Sequence, residues 1–143
     1  SDIRFEKFKI RDNKNIFELY PDTQFYDYTK NHLRFDTVLP ANYHLTFSKS
    51  ETNTVKAFEL LKRGFNCAMV FDKVPTEYKG YKVINGDETD LRFLDEKNVI
   101  VGLKYKILTK KGTDNNAPFE NGFAIRLTNE KLVTRRNKPA MAA

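Results

Sequence analysis

Apolar residues along the chain fall in short runs of strand length, separated by Pro, Gly, Asn and Asp, and one longer stretch repeats at helical spacing. The aromatic-rich run Gln24-Phe25-Tyr26-Asp27-Tyr28-Thr29 predicts a strand, and Tyr43-His44-Leu45-Thr46-Phe47-Ser48 alternates with period two and predicts another. Residues 51–63 place Val55, Ala57, Phe58 and Leu61 on one face of a helix. Ser50 is a suitable N-cap there and Glu51 suits the positive end of the dipole, while Lys62, Arg63 and Gly64 suit the other end. Residues 66–71 then form a continuous apolar run, the pattern of a strand covered on both faces. Upstream, residues 15–20 predict the end of a short helix stopped by Pro21, and residues 32–39 a short helix or loop ended by Pro40.

After Phe71 the texture changes. Residues 72–79 contain Pro75 and read as an extended loop, 81–84 as a short strand before the turn Asn85-Gly86-Asp87, and 91–94 as ambiguous. Residues 98–106 predict a strong strand, 113–118 a polar loop and 122–127 a last strand. The strand–helix alternation over 23–71 predicts a parallel sheet, because parallel neighbours need a crossover between them. The second half is poor in helices and predicts a smaller or antiparallel addition. The fold class is therefore α/β, a parallel or mixed β-sheet with flanking helices, with a partial barrel-like βα arrangement among the allowed forms. One domain is expected over 1–134, followed by a disordered tail, 135–143, that has no apolar period.

Composition adds bounds. A chain of 143 residues, 40% hydrophobic and 31% charged, buries enough surface to fold without disulfides or a metal. The single cysteine, Cys67, lies in the apolar run and reads as a small buried hydrophobe. It excludes an internal disulfide framework and a Cys-only metal site, and it points to a reducing compartment, the cytoplasm. No apolar stretch approaches the ~20 residues that span a bilayer, so no membrane partner is expected. The start is charged and unlike a signal peptide. Net charge is +6 and pI about 9.3, which favours acidic partners such as nucleic acid. The densest basic stretches, 104–111 and 131–138, read either as solvated faces or as phosphate-binding surfaces.

In parallel α/β sheets ligands bind beyond the carboxyl ends of the strands. Those ends carry Tyr28-Thr29-Lys30, Ser48-Lys49-Ser50-Glu51 and Phe71-Asp72-Lys73. A strand running into a helix N-terminus at 48–51 would offer free N–H groups and a favourable dipole to an anion. The plainer alternative is that Ser50 only caps the helix and Lys49 is solvated. The glycines of a Walker-type loop are missing. The candidate site is thus Lys30, Ser48, Lys49 and Ser50 for phosphate, with Asp27, Glu51 and Asp72 as carboxylates for metal or base chemistry. Asp87, Glu88, Asp90 and Asp95 offer oxygen ligands, or else only a turn at Asn85-Gly86 and an Asp90–Arg92 ion pair; no metal site is assigned there. His44 lies inside a predicted strand and reads as a packed or hydrogen-bonded histidine; with His32 as the only other histidine, no Ser/His/Asp arrangement emerges. Whether the chain is an enzyme stays open.

Several of these pieces occur together in a known pattern. Ser1-Asp2-Ile3, then Phe25-Tyr26-Asp27-Tyr28-Thr29-Lys30-Asn31, then His44-Leu45-Thr46-Phe47-Ser48-Lys49-Ser50-Glu51 resembles the gene-product-88-like family of phage proteins, which carries no assigned activity. The runs Gly80-Tyr81-Lys82-Val83-Ile84-Asn85-Gly86-Asp87-Glu88-Thr89-Asp90-Leu91-Arg92-Phe93-Leu94-Asp95 and Val99-Ile100-Val101-Gly102-Leu103-Lys104 are similar to the same family, so the likeness covers most of 1–106. The resemblance implies a phage or prophage origin and hence the host cytoplasm. It also implies a C-terminal portion or a shortened relative, since members carry a longer, cysteine-bearing N-terminal part. Three functions are expected in turn: binding of a phosphate-bearing ligand, foremost nucleic acid; a non-enzymatic protein that inhibits a host defence or host enzyme; and a virion-associated structural protein.

Overall fold

The structure is a computed structural model and describes residues 1–128. The expected tail, 135–143, and the expected domain end at 134 lie outside the described residues. Helix α1 (Ile16–Leu19) opens on a capping box. Asn15 accepts from the Glu18 N–H at 2.9 Å, and Glu18 accepts from the Asn15 N–H at 2.7 Å. Strands β1 (Phe25–Thr29) and β2 (Tyr43–Ser48) are joined through a 3-10 turn, His32–Asp36, whose Leu33 N–H donates to the Asn31 side chain at 3.2 Å. Helix α2 (Thr54–Lys62) leads to β3 (Cys67–Phe71).

The chain then runs through β4 (Glu77–Tyr78), β5 (Tyr81–Asn85), a 3-10 turn at Arg92–Leu94 and β6 (Ile100–Lys104). Helix α3 (Ala117–Glu120) and β7 (Ala124–Ile125) complete it. Among the described residues the strands form one open sheet in the order β1-β2-β3-β6-β5-β4, with β7 also paired to β3. Every pairing is parallel except β4 with β5. The α/β class holds, with an open sheet in place of a barrel.

Two expectations change. The second half does not build a separate sheet; β5, β6 and β7 join the first sheet in parallel, and only the two-residue β4 adds an antiparallel strand, on β5. Ile100 and Val101 are fully buried, which an apolar strand achieves inside a sheet rather than at a separate edge. The connections that precede β5 and β6, 72–80 and 86–99, hold only the two-residue β4 and a 3-10 turn, and they reverse the chain without an α-helix. Helix α2 also starts at Thr54 rather than 51. The Asn53 side chain accepts from the Ser50 N–H at 2.6 Å and donates to the Ser48 carbonyl at 3.1 Å, closing a turn ahead of the helix. Its buried face is Ala57, Leu60 and Leu61, and Val55 is 72% exposed.

Parallel register assigns the two faces, because paired residues share a side. Leu45, Phe47, Cys67, Met69, Phe71, Ile100 and Val83 point to the side covered by α2, Phe17 and Phe35, which is the main core. Gly102 belongs to this side, and a Cβ there would lie 2.6 Å from Val74 and 2.7 Å from Val83. The opposite side carries Tyr26, Tyr28, His44, Thr46, Ser48, Ala68, Val70, Val101 and Leu103. Segment 86–99 covers only its lower part. There the 3-10 turn Arg92–Leu94 packs on β1 and β2, and the Phe93 and Tyr26 rings stand 5.5 Å apart.

A candidate cleft at the carboxyl ends of the strands

Strand β3 has two successive neighbours on one edge. β2 pairs with it through Phe47–Cys67 and Ser48–Ala68, and the Lys49 N–H still reaches the Ala68 carbonyl at 2.9 Å. Beyond that β2 leaves, and β7 takes its place through Val70–Ala124 and Phe71–Ile125. The Lys49 side chain closes the join, donating to the Gly122 carbonyl just before β7. Lys49 is 5% exposed, and burial lowers the pKa of its ammonium, with Glu51 opposing that shift.

Above segment 86–99 the second face stays open. A cleft of about 480 Å³ lies there, floored by Tyr28, Ser48, Ala68, Val70 and Leu103. Gly86, Asp87, Asp90, Lys104, Tyr105, Lys106 and Phe123 complete its lining. The walls are tied down. The Asp87 carboxylate accepts from the Lys104 N–H at 2.8 Å, and the Gly86 N–H donates to the Gly102 carbonyl at 2.8 Å. The Tyr105 hydroxyl donates to buried Asn115 at 3.1 Å, and Asn115 exchanges two hydrogen bonds with the Leu108 backbone. Burial raises the Tyr28 and Tyr105 pKa values, so both phenols are neutral donors at neutral pH.

Of the seven residues expected from sequence, the structure brings only Ser48 to this cleft. Asp27 shares the main-core side with Leu45 and accepts from the Tyr28 N–H and the Ser1 amino group. Lys30 is exposed beyond β1, its N–H bound to Asp2 at 2.6 Å; that bond, aided by the Thr29 hydroxyl, holds the Asp2 pKa below the ordinary carboxylate value. Lys49 turns to β7. Ser50 is buried with its N–H on Asn53, and Glu51 is exposed in the preceding turn. Asp72 receives the Leu127 and Thr128 N–H groups and the Thr128 hydroxyl, at 2.9, 3.0 and 2.7 Å. Burial would raise its pKa, but these bonds outweigh that and lower it. The cleft lies at the end of the sheet to which the carboxyl-end rule points, while most of the polar groups named there fasten loops.

Of the cleft's lining, Lys104 and Lys106 were visible only as part of the basic stretch 104–111, because the fold that brings Tyr28 and Phe123 to the same cleft is not local. The sequence also paired Arg92 with Asp90. In the structure the ion pair is Arg92–Asp95, Nε to Oδ2 at 3.4 Å, and Asp90 instead gives its carbonyl to the Arg92 N–H at 2.9 Å. His44 is half-buried beside that pair and 3.4 Å from the Thr46 hydroxyl, and burial lowers its pKa. Among the described residues, no three His, Cys, Asp or Glu side chains gather as metal ligands do.

An open, mostly parallel sheet with a cleft on one face at the strand ends defines a small α/β domain. No helix among the described residues is long and apolar enough to cross a membrane. The sequence model of the family Gene product 88 matches residues 1–117, and the chain belongs to that family of phage gene products. No curated protein and no solved structure matches it significantly.

Proposed function

We propose that the cleft binds a phosphate-bearing ligand, namely the nucleotide units of a single-stranded nucleic acid. The observation that carries this reading is the lining itself: three rings, Tyr28, Tyr105 and Phe123, beside Lys104 and Lys106 in one opening at the strand ends. Aromatic rings accept stacked bases of any sequence, and lysines follow the backbone charge. Ser48, Asp87 and Asp90 supply acceptors for exocyclic amines. A volume of about 480 Å³ suits one small group and not a duplex. The chain's +6 charge supports the same reading by drawing polyanions to the surface. A phage protein of this kind acts in the host cytoplasm.

Fluorescence anisotropy with a labelled single-stranded oligonucleotide tests it. Affinity should fall with salt, and Lys104→Ala with Lys106→Ala should flatten the log K against log salt slope by roughly 0.7 per lost phosphate contact. Binding that ignores salt, or that the double variant leaves unchanged, overturns the reading.

A second reading, docking of a host protein, is favoured by the exposed residues Tyr26, Leu91 and Leu94 around Phe93 beside edge strand β1. Tyr26→Lys with Leu94→Lys would abolish capture of such a partner and spare oligonucleotide binding.

A further inference from the structure

Strands β2 and β3 pair over two residues only, and the offset leaves each of them part of an edge. On β3 that part carries β7. On β2 it lies at the amino end of the strand. The Phe25 N–H donates to the Asn42 carbonyl, so in parallel register residues 42, 44 and 46 turn their backbone groups to β1. Residues 43, 45 and 47 turn theirs to the other edge. There the Phe47 N–H donates to the Asn66 carbonyl at 3.0 Å, and the Tyr43 N–H folds back on the Pro40 carbonyl at 3.0 Å. Between them Leu45 offers an N–H and a C=O, but the pairing with β3 starts only at Phe47 with Cys67. Among the described residues no backbone hydrogen bond takes up the Leu45 N–H. Leu45 is 5% exposed, and a backbone donor so placed is rarely left alone.

A hollow of about 530 Å³ runs along residues 43–45. Gly64 lines it, and a Cβ there would meet nothing within 4 Å, so the hollow is open on that flank. Phe35, Leu39 and Phe65 give it an apolar wall on the main-core side. Arg63 stiffens that wall, donating to the Phe35 carbonyl and to Asp36 at 2.9 Å each and lying 5.2 Å from the Phe65 ring centroid. Exposed Lys97 comes from the segment that covers the opposite face, and no carboxylate lines the hollow.

We infer that this notch in β2 takes a short extended segment of a partner protein, added as a strand, with apolar and acidic residues in alternation. The bare N–H and C=O of Leu45 match a peptide backbone, which a nucleic acid lacks. Alternate side chains of an added strand point to opposite faces. One set meets Phe35, Leu39 and Phe65, and the other meets the side of Lys97. Asp36 already offsets the Arg63 charge, so Lys97 is the cation left for a carboxylate. A second copy of this +6 chain is a poor match for such a lining. The inference stands apart from the nucleic-acid reading of the cleft.

The probe is a fluorescent hexapeptide alternating valine and glutamate, with blocked ends, titrated against the full chain. N-methyl groups placed in turn along it should weaken binding about tenfold at every second position, since a strand edge carries its donors on alternate residues. Lys97→Glu, an exposed change, should weaken binding roughly threefold or more, and a peptide with lysine in place of glutamate should prefer that variant. By NMR hydrogen exchange the Leu45 amide should exchange faster than that of Phe47 in the free chain and slow when the peptide saturates it. A Leu45 amide as slow as Phe47 in the free chain means that the chain itself or a second copy fills the notch, and overturns the inference. No binding of the peptide, or binding indifferent to N-methylation, overturns it as well. A single-stranded oligonucleotide that displaces the peptide and protects the Leu45 amide in its place overturns the peptide assignment.

Discussion

On one side of the sheet Phe47, Met69 and Phe71 meet Leu60 and Leu61 of α2, and Phe17 stacks on Tyr43 with ring centroids 4.3 Å apart. On the other side, segment 86–99 lays buried Arg92 and the buried Asp95 carboxylate beside half-buried His44 of β2, then stops short of the strand ends. The first side gains free energy from nearly every contact, at about 1.5–3 kcal/mol for each large apolar side chain fully buried. The second gains little, since a buried ion pair roughly breaks even against its desolvation. The difference shows a division of labour: one face holds the fold, and the other keeps charges in place and leaves an opening over them.

The largest effect expected belongs to the apolar side. Phe47→Ala, at a site with 0% exposure, should cost about 3–5 kcal/mol in urea unfolding. The paired change Arg92→Met with Asp95→Leu should cost nothing measurable or add stability; a loss as large as that of Phe47→Ala would break the comparison. Asp95→Ala alone should cost about 3 kcal/mol, because it leaves the Arg92 charge buried without compensation. Gly86→Ala comes next. Its Cβ would stand 2.5 Å from Val101 Cγ1, and overpacking of this kind costs about 1–3 kcal/mol, readable as a lowered Tm.

Two smaller effects sharpen the contrast through titration. Burial depresses the His44 pKa, so the unfolded chain binds a proton more readily than the folded one between that depressed value and 6.5. Stability should therefore rise with pH across that window, and His44→Gln should flatten the rise in denaturation curves taken at several pH values. Asp95 works with the opposite sign. Burial raises its pKa, and its contribution fades as pH climbs from 3.8 through the folded value. On the apolar side, burial pushes the Cys67 thiol up to about 12 while it donates to the Ala57 carbonyl at 3.2 Å. Iodoacetamide should leave it untouched in the native protein and alkylate it in urea; rapid native labelling would mean that this side is not closed.

The same contrast explains what could be read from the chain. β2 was legible to the residue, because its period-two pattern reflects a face that is apolar throughout. Cys67 and the buried run of β3 were legible for the same reason. The start of α2 was not, because Asn53 competes with Ser50 for the cap and wins through two bonds to residues before the helix. The parallel placement of β5 and β6 was hidden because their crossovers contain no helix to announce them. At the strand ends Asp27, Asp72 and Lys49 look chemically equipped, yet their partners lie at Ser1, Leu127 and Gly122, far along the chain. Arg92 read as half of a local pair with Asp90. Its burial depends on Gly86, Val101 and Leu103, which only the sheet brings together.

The shared edge of β3 has a mechanical consequence. β7 contributes two residues and fills a half-length slot left by β2, held by the Asp72 N–H to the Ile125 carbonyl and by Lys49 to Gly122. The family match ends at 117, before this strand begins. Opening the slot breaks none of the ladder that joins β1 through β6, so β7 can exchange its amide protons through an opening that leaves the rest of the sheet zipped. When it opens, the outer halves of Val70 and Phe71 present bare backbone, a docking edge as long as the strand that vacated it.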